Sequence, residues 1–538
     1  MVAYSPTPWA NSAGKLYHWN NEQRFGVDET WPGVSRTWNQ LTDINYRFLN
    51  HDLAGINRTN HGGEGEEKQG GFEYTDVKIA NKAIEYLNLL HGLQGKGGNA
   101  EGGEEGQVSK PFFLAVGFHQ PHEPWHFPSR YWDMYENVTF KLPTGLPPEN
   151  MPTLSVGDIN PQRGGGASWS DMTITSRSNP NVSYSIKSQP KMSMYRSSPR
   201  FPPWLMEEGI RSYSASISFM DSQLGRVLDE LERLDLAGDT VVAFTSDHGL
   251  NVGDYGGWGK RMLHDTNSRV PLIFYDPDEE YAEGNKVSDQ VVESIDIFPT
   301  LVDMAAGSEE DIDTASKQTP PLEGKSLVPT MRGEIVTQDD DFAISQLVRC
   351  SNMPPSEASK DEFWHWWGPC KGNQPAGYWG SGSRVAKIDG GGEENYQWEG
   401  RAKTVVMGYS IRTKEWRYTS WVRWNSTLAR GDFDTYPPYA SELYRHSIGG
   451  TDDEEHMIAS LGGEIGGIEQ LGNVADSEPD DARIQNVKRE LFDKIKSVIS
   501  GKEGRGDDLY PYGLLYPPPP SKILAKKKKN EANAKAGG

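Results

Sequence analysis

Apolar residues along this chain fall into runs of strand length and into one long stripe of helical spacing. The runs are FFLAVGF (112–118), VVAFTSD (241–247) and VPLIFYDP (270–277). Near-continuous apolar runs of this length are typical of strands that are covered on both faces of a sheet. The pattern therefore predicts three buried strands.

Helical spacing of apolar residues appears between and after these strands. Steps of three and four join Ile210, Tyr213, Ile217, Met220, Leu224, Val227, Leu231 and Leu234. This stripe predicts one long helix, and SIDIFPTLVDMA (294–305) predicts a second helix with Pro299 in its first turn. Strands that alternate with helices favour a largely parallel sheet between helices, whose ligands bind beyond the carboxyl ends of the strands.

Several segments lack such periodicity. Glycine- and acid-rich patches begin at His61, Gly95 and Asp389, and a segment rich in Pro, Ser, Asn and Gly runs from 141 to 205. We interpret the patches as solvated insertions and the long segment as a connection without regular secondary structure. The tail after residue 501 ends in YPPPPSKILAKKKKNEANAKAGG and is predicted to be disordered.

The net charge of the chain limits the classes of molecule that it can bind. The 54 Lys and Arg against 76 Asp and Glu give a net charge of −22, which disfavours nucleic acid and anionic membranes as general partners. An anionic substrate would need a local basic pocket. No run is long and apolar enough to span a membrane.

Sequence features that bear on the cellular compartment disagree with one another. Four N-glycosylation sequons favour the secretory route, at Asn57, Asn137, Asn181 and Asn425. The first residues, MVAYSPTPWANSAGKLYH, lack the features of a signal peptide. Cys350 and Cys370 form a disulfide if the chain is secreted, and two buried thiols are the alternative.

Candidate chemistry gathers at two predicted strand ends. Asp247 and His248 follow one strand, and HQPHEP, with His119 and His122, follows another. A carboxylate there is a hard ligand suited to Ca²⁺ or Mg²⁺, whereas the alternative makes Asp247 a turn cap and His248 a surface histidine. The spacing of His119 and His122 does not match a zinc site.

Positive side chains accompany these motifs. Lys260 lies thirteen positions after Asp247, and GKLYH near the start offers Lys15 and His18. Lysines and histidines beside a metal-binding carboxylate suit a site for an oxyanion ester.

Three of these segments resemble the sulfatase family. They are KPFFLAVGFHQPHEP, SYSASISFMDSQLGRVLDELERLDLAGDTVVAFTSDHG and GWGKRMLHDTNSRVPLIFY, with support from SIDIFPTLVDMA, PLEGKSL and VVMGYSIRTKEWRYTSWV. The most similar branch is that of the iduronate-2-sulfatases. The resemblance implies an alkaline-phosphatase-like α/β fold over residues 1–335, a smaller C-terminal α+β subdomain over 336–500, and the tail over 501–538.

The same resemblance implies roles for individual residues. Asp247 and His248 are expected to be ligands or close neighbours of Ca²⁺, while Lys15, His18, His122 and Lys260 surround the sulfate ester. Lysines would neutralise sulfate charge, and a histidine would protonate the leaving alcohol or deprotonate the intermediate. The implied substrate is a sulfated polysaccharide, and the implied compartment is lysosomal or extracellular. Leu250 stands where that branch has Trp, which puts the sugar side of the pocket in doubt.

One departure separates this chain from the family pattern. Sulfatases make a formylglycine nucleophile from Cys or Ser in a C/S-x-P-x-R motif that precedes the Lys-x-x-His pair, and an Asp-Asp pair lies earlier still. The fourteen residues before Lys15 hold neither motif, HFPSR (126–130) has His126 at the Cys position, and RSSPR (196–200) has the wrong spacing. We therefore expect an N-terminally truncated chain that lacks a strand and the nucleophile helix.

Two further functions stay open at this point. The first is an inactive sulfatase-like fragment that binds acidic glycans. The second is a phosphate ester hydrolase of the same superfamily. The sequence does not fix the oligomeric state.

Overall fold

A computed structural model describes part of the chain. The described residues are 9–14, 68–69, 72–93, 111–122, 125, 127–143, 151–155, 173–175, 181–185, 202–277, 287–305, 324–333, 341–351, 386–387, 396–397, 404–425, 430–446 and 481–499. The predicted tail and the glycine-rich patches from Gly95 and Asp389 lie outside these residues.

Strands and helices alternate in the first half of the chain, and strands dominate the second half. The strands are β1 Trp9–Gly14, β2 Lys68–Gln69, β3 Phe72–Glu73, β4 Phe112–Gly117, β5 Thr173–Thr175, β6 Ser183–Ser185, β7 Val242–Thr245, β8 Asn251–Val252, β9 Trp258–Gly259, β10 Leu272–Tyr275, β11 Phe342–Ser351, β12 Ala386–Lys387, β13 Tyr396–Gln397, β14 Thr404–Thr413, β15 Trp416–Asn425, β16 Arg430–Gly431 and β17 Ala440–Arg445. The α-helices are α1 Thr75–Leu93, α2 Ser129–Asp133, α3 Pro203–Arg233, α4 Asp265–Ser268, α5 Ile297–Ala305, α6 Val328–Met331 and α7 Ala482–Ile499.

The long helix α3 confirms the predicted apolar stripe and begins earlier than the stripe does. Its first residue is Pro203, and proline suits the first helical turn because its backbone nitrogen needs no intrahelical partner there. Val227 and Leu231 of α3 pack against Ile79 and Leu87 of α1. The same core takes in side chains from β4 and β7, so the two helices cover these strands.

Helix α5 also follows the sequence pattern. It begins at Ile297, directly after a 3-10 turn over Ser294–Asp296, and Pro299 lies in its first turn as predicted. Thr300 is buried and its hydroxyl donates to the carbonyl of Asp296 at 2.6 Å.

The described strands of the first half form one parallel ladder and four antiparallel ones, of which β2–β3, β5–β6 and β8–β9 are short hairpin pairs. β1 pairs with β4 in parallel, from Trp9 opposite Phe112 to Gly14 opposite Gly117. β7 pairs with β10 antiparallel, with Val242 opposite Tyr275. The described chain between β7 and β10 holds a short hairpin and the one-turn helix α4 but no long crossover helix, so β10 returns in the opposite direction. The largely parallel sheet therefore stays a prediction, and β10 departs from it.

Burial of β10 also differs from the expectation. Ile273 is 58% exposed and Tyr275 is 51% exposed, while the alternate residues Leu272 and Phe274 are half-buried. A strand with one exposed face alternates in burial along its length. The prediction that this strand is covered on both faces was wrong.

The second half contains a five-stranded antiparallel sheet, which we call the C-terminal sheet. Its strand order is β11, β14, β15, β17, and β16 pairs with the end of β15. One face carries apolar side chains such as Tyr409, Tyr418 and Leu443, which pack against Phe492 and Ile495 of α7. Successive side chains of a strand point to opposite faces, so the residues between these positions face away from α7.

That second face of the C-terminal sheet meets the first half of the molecule. Trp421 and Val406 pack against Leu263 and Leu154 there. Polar residues on the same face include Arg349 and Glu442, both of which are buried. The sheet therefore joins a helix on one side to the segment after β9 on the other.

Two further observations concern predictions made from the sequence. No helix among the described residues is long and apolar enough to cross a membrane. Cys350 lies in β11, and Cys370 lies outside the described residues, so the predicted disulfide remains a prediction.

Candidate functional site

The first part of the site lies directly after β7, where Asp247, His248 and Gly249 follow the strand. The N–H of Gly249 donates to the carbonyl of Asn267 at 2.9 Å. A Cβ at position 249 would lie 2.0 Å from the carbonyl oxygen of Thr266, so a side chain here would collide with backbone. The glycine therefore allows a close backbone approach that fixes the position of the neighbouring His248.

The second part is the turn after β4, which carries His119 and His122. The N–H of His122 donates to the carbonyl of His119 at 3.1 Å, and the bond between Gln120 and Pro121 is cis. Asp76, in the first turn of α1, accepts the N–H of His119 at 2.7 Å and the N–H of Gln120 at 3.0 Å. One buried carboxylate thus holds the backbone of the turn.

Burial has a large effect on that carboxylate. Asp76 is 1% exposed, and its burial raises the pKa of the carboxyl from 3.8 to about 6. The two backbone N–H donors favour the charged form and oppose this rise.

The third part is Lys260, which follows β9 and joins the two histidines. Its Nζ lies 2.9 Å from Nε2 of His122 and 3.2 Å from Nε2 of His248. An ammonium group only donates, so both Nε2 atoms accept in this arrangement. The Nδ1 of His248, 2.9 Å from the carbonyl of Gly249, is then the protonated nitrogen of a neutral imidazole.

We call Lys260, His122, His248 and Asp247 the Lys260 cluster. The Oδ2 of Asp247 lies 3.5 Å from Nε2 of His248. The side chain of Asp247 is 63% exposed and that of His248 is 32% exposed. The cluster is therefore open to solvent and can receive a ligand.

Four of the six residues predicted for the site are brought together by the structure, namely His122, Asp247, His248 and Lys260. Lys15 and His18 lie outside the described residues. Leu250 is half-buried and packs on an aromatic cluster that contains Trp125 and Phe219. The catalytic and metal-binding roles of all six residues remain predictions.

The described residues do not by themselves fit a calcium site. Among them, no group of three or more His, Cys, Asp or Glu side chains is placed to hold a metal ion. Calcium takes six to eight oxygen ligands or so, whereas the cluster offers the carboxylate of Asp247 and an ammonium 3.2 Å from the imidazole of His248. The 538 residues contain no C/S-x-P-x-R sequence, so the expected formylglycine stays a matter of the family resemblance alone.

Sequence reasoning missed the contacts that lie behind Lys260. Nη2 of Arg349 donates to the carbonyl of Arg261 at 2.6 Å, and Nη1 of Arg417 donates to the carbonyl of Leu263 at 2.5 Å. Arg417 also forms an ion pair with Asp265. The only sequence signal is that these arginines occupy the strand positions that alternate with the apolar residues under α7.

We call the group around this ion pair the buried polar cluster; its members are Asp265, Arg417, Glu442, His264 and His446. Burial, and then the charge of Arg417, lowers the pKa of His264 to about 3. Burial lowers the pKa of Arg417 to about 10 and raises the pKa of Glu442, which accepts hydrogen bonds from Ser155, Tyr444 and Trp421.

Comparison with known proteins gives several matches. The family model described as Sulfatase matches residues 12–308. Iduronate 2-sulfatase of Homo sapiens is 29% identical over 407 residues, which cover 66% of this chain and 60% of that protein. A sulfatase of Formosa agariphila is 31% identical over 196 residues, 36% of this chain and 32% of that protein.

The chain is also similar to proteins of known structure. A phosphonate monoester hydrolase from Silicibacter pomeroyi has 17% sequence identity and a TM-score of 0.45, over 87% of this chain and 70% of that one. The chain also spans 56% of the length of the Mus musculus iduronate 2-sulfatase, so it covers somewhat more than half of each of these two iduronate 2-sulfatases.

Proposed function

Because the chain belongs to the sulfatase family, whose model matches more than half of it, we propose that the whole protein hydrolyses sulfate esters. The observation that supports this most is the ammonium of Lys260, which lies between two imidazoles at the solvent-open ends of β4 and β7. A fixed cation at a strand end is what an anionic ester requires in a protein whose net charge is −22.

The proposed chemistry begins with the charge of the substrate. A sulfate ester carries one negative charge on its terminal oxygens, and the ammonium of Lys260 binds and stabilises that charge. Hydrolysis consumes one water, breaks the bond between sulfur and the ester oxygen, and releases an alcohol and hydrogen sulfate. A cation held in place before reaction stabilises the charge that develops as this bond breaks.

Proton transfer is assigned to His122. The leaving alcohol needs a proton as its bond to sulfur breaks, and an imidazole is suited to that task near neutral pH. Nε2 of His122 accepts from Lys260 at 2.9 Å and so carries a lone pair beside the bound ester. In this proposal it first takes a proton from the attacking water and then gives that proton to the leaving alcohol. Lys15 and His18 are proposed to complete the anion site, as the family resemblance implies.

Calcium is proposed separately and enters no step of this mechanism. Asp247 is the carboxylate in the described part of the cluster that supports it. The midpoint of thermal unfolding, measured with and without added Ca²⁺ for the wild-type chain and for Asp247→Asn, tests this point. Ligand binding to the folded state raises the midpoint, so only the wild type should respond.

The finer substrate class is a sulfated uronic acid within a polysaccharide. Its support is the 29% identity, over 407 residues, to a protein named iduronate 2-sulfatase. The four sequons support passage through the secretory pathway to a lysosomal or extracellular location.

Two alternatives remain. Phosphate ester hydrolysis is supported by the cluster itself, because an ammonium and two imidazoles bind either tetrahedral oxyanion. Glycan binding without turnover is supported by the ammonium of Lys260, which can bind a sulfated glycan whether or not the ester is cleaved.

The deciding experiment compares turnover of an aryl sulfate and an aryl phosphate by the full chain, its Lys260→Met variant and a control. Loss of one preorganised donor costs about 10²- to 10³-fold in turnover, so Lys260→Met should fall by that factor. Lys414→Met is the matched control, because Lys414 is 48% exposed and pairs with Asp289 and Asp341 instead.

Each outcome separates the functions. Sulfate turnover that is lost only in Lys260→Met supports the proposal. Turnover of phosphate alone favours the second function. Binding of a sulfated oligosaccharide without turnover of either ester favours the third.

A further inference from the structure

We propose that Arg349 and Arg417, two buried arginines of the C-terminal sheet, are positioning residues for Lys260. They act through the backbone of residues 261–267, which we call the anchored segment. This inference rests on the proposed function, because it concerns the residue that is assigned to bind the ester.

The first contact fixes the residue directly after Lys260. Arg349 donates from Nη2 to the carbonyl of Arg261 at 2.6 Å and from Nε to the carbonyl of Leu154 at 2.9 Å. Arg261 has a φ of 74°, in the left-handed region that residues other than glycine rarely adopt. Such a conformation persists where surrounding contacts hold it, and the guanidinium of Arg349 is such a contact.

The second contact fixes the segment further along. Arg417 donates from Nη1 to the carbonyl of Leu263 and pairs with the carboxylate of Asp265. The Oδ2 of Asp265 is also 3.5 Å from Nε of Arg412 and 3.8 Å from Nδ1 of His446. The carboxylate is thus held from β14, from β15 and from the residue after β17.

These contacts occur at alternate positions of the chain. Residues 261, 263 and 265 each offer an oxygen to a guanidinium of the C-terminal sheet. A segment that is held at 261, 263 and 265 cannot shift along the sheet without losing several charge-assisted hydrogen bonds together.

The anchored segment also holds the histidine on the other side of Lys260. Asn267 accepts the N–H of Gly249 through its backbone carbonyl at 2.9 Å, and its Oδ1 accepts the N–H of Met262 at 3.1 Å. His248 directly precedes Gly249. Both His248 and Lys260 are therefore placed with respect to one segment, which the C-terminal sheet holds.

Positioning of this kind matters because the distances in the Lys260 cluster are short. The ammonium is 2.9 Å and 3.2 Å from its two imidazole partners. A displacement of about 1 Å in a reacting group can cost about 10²-fold in rate even when the mutation lies elsewhere. Buried ion pairs add little net stability compared with apolar residues, so fixing one conformation is the better explanation of this one.

The test uses the full chain and the variant Arg349→Met. We expect kcat for an aryl sulfate to fall about 10- to 100-fold while KM changes little, because the cation remains present but is misplaced. Amide hydrogen exchange should become faster in peptides that span 248–262. Arg349→Lys should recover part of kcat, because an ammonium can still donate to the carbonyl of Arg261.

The matched control is Arg423→Met. Arg423 lies on β15 in the same sheet, is exposed, and stacks over Tyr439 at 5.7 Å. It should retain wild-type kcat and wild-type exchange in peptides 248–262.

Other outcomes overturn the inference. A folded Arg349→Met variant with unchanged exchange in 248–262 and unchanged kcat would contradict it, and so would an equal loss in Arg423→Met. If Arg349→Met does not fold, kcat and amide exchange in peptides 248–262 are measured on Arg349→Lys and Arg417→Lys instead. If the wild-type chain turns over no sulfate ester, the proposed function fails, and the exchange of peptides 248–262 alone decides the positioning role.

Discussion

The Lys260 cluster and the buried polar cluster contain similar groups in opposite surroundings. Each places two histidines beside a cation, with one carboxylate in the Lys260 cluster and two in the buried polar cluster. In the Lys260 cluster the side chains of Asp247 and His248 are 63% and 32% exposed. In the buried polar cluster the side chains of His264 and Glu442 are 2% and 1% exposed. The first can receive a ligand, and the second is filled by its own partners.

The comparison shows that a strongly shifted pKa does not by itself identify a functional residue in this protein. The pKa of His264 falls to about 3 and that of His446 to about 2, mainly through burial and then through neighbouring arginines. Structural ion-pair networks shift pKa values as strongly as active sites do. Access to solvent, together with placement at the strand ends, distinguishes the Lys260 cluster.

The largest expected effect concerns the central ion pair of the buried polar cluster. Asp265→Asn leaves the guanidinium of Arg417 buried without its carboxylate, and removal of one partner from a buried pair costs about 3–5 kcal/mol. Unfolding in urea, followed by tryptophan fluorescence, measures the change in the free energy of unfolding.

Asp434→Asn is its control. Asp434 is 74% exposed and pairs with Lys496 at 3.6 Å, so the loss should stay below about 1 kcal/mol. Equal losses in the two variants would mean that burial does not distinguish the two pairs.

The next effect concerns the carboxylate that supports the Lys260 cluster. Because the folded pKa of Asp76 is about 6 against 3.8, the folded protein keeps a proton that the unfolded chain has released between these pH values. Its contribution to stability is full below pH 3.8 and is lost as the pH rises to about 6. The shift corresponds to about 3 kcal/mol.

Asp76→Asn provides the measurement, because the amide does not titrate. Between pH 4 and pH 7 the wild type should lose up to about 3 kcal/mol of unfolding free energy relative to the variant. If the free energies of unfolding of the wild type and the variant differ by the same amount at pH 4 and at pH 7, the pKa of Asp76 is not raised by folding.

The smallest effect concerns an exposed pair on α7. Nε of Arg489 lies 3.0 Å from Oδ2 of Asp493, four residues later, and both side chains are about half exposed. Asp493→Asn should lower the free energy of unfolding by about 0.3–0.5 kcal/mol. At 1 M salt this loss should vanish because exposed charges are screened, whereas the loss in Asp265→Asn should persist.

Much of the fold follows from the hydrophobic pattern. The stripe from Ile210 to Leu234 predicts α3 because it repeats at helical spacing over many turns. The meeting of His122, Asp247 and Lys260 was predicted because both histidine motifs follow predicted strands, whose carboxyl ends collect ligands. The structure brings these residues together through His248, although β4 and β7 lie in separate ladders among the described strands.

The remainder depends on partners that are distant in sequence. Arg417 and Asp265 are separated by 152 positions, and no local pattern connects them. An arginine that alternates with apolar residues in a strand is usually interpreted as facing solvent, but the second face of this sheet is covered. The direction of β10 depends on hydrogen bonding between strands, which the apolar run alone does not encode.

The hydrogen bonds of Arg349 determine whether the first half of this protein can be expressed as a separate fragment. This one side chain, in the second half of the chain, satisfies carbonyl groups at Leu154 and Arg261 in the first half. A fragment that stops near residue 335 would lose that donor and would uncover the apolar surface that faces Trp421. Expression of the first half alone should therefore yield insoluble material. Protein engineering should keep the two halves together in one polypeptide.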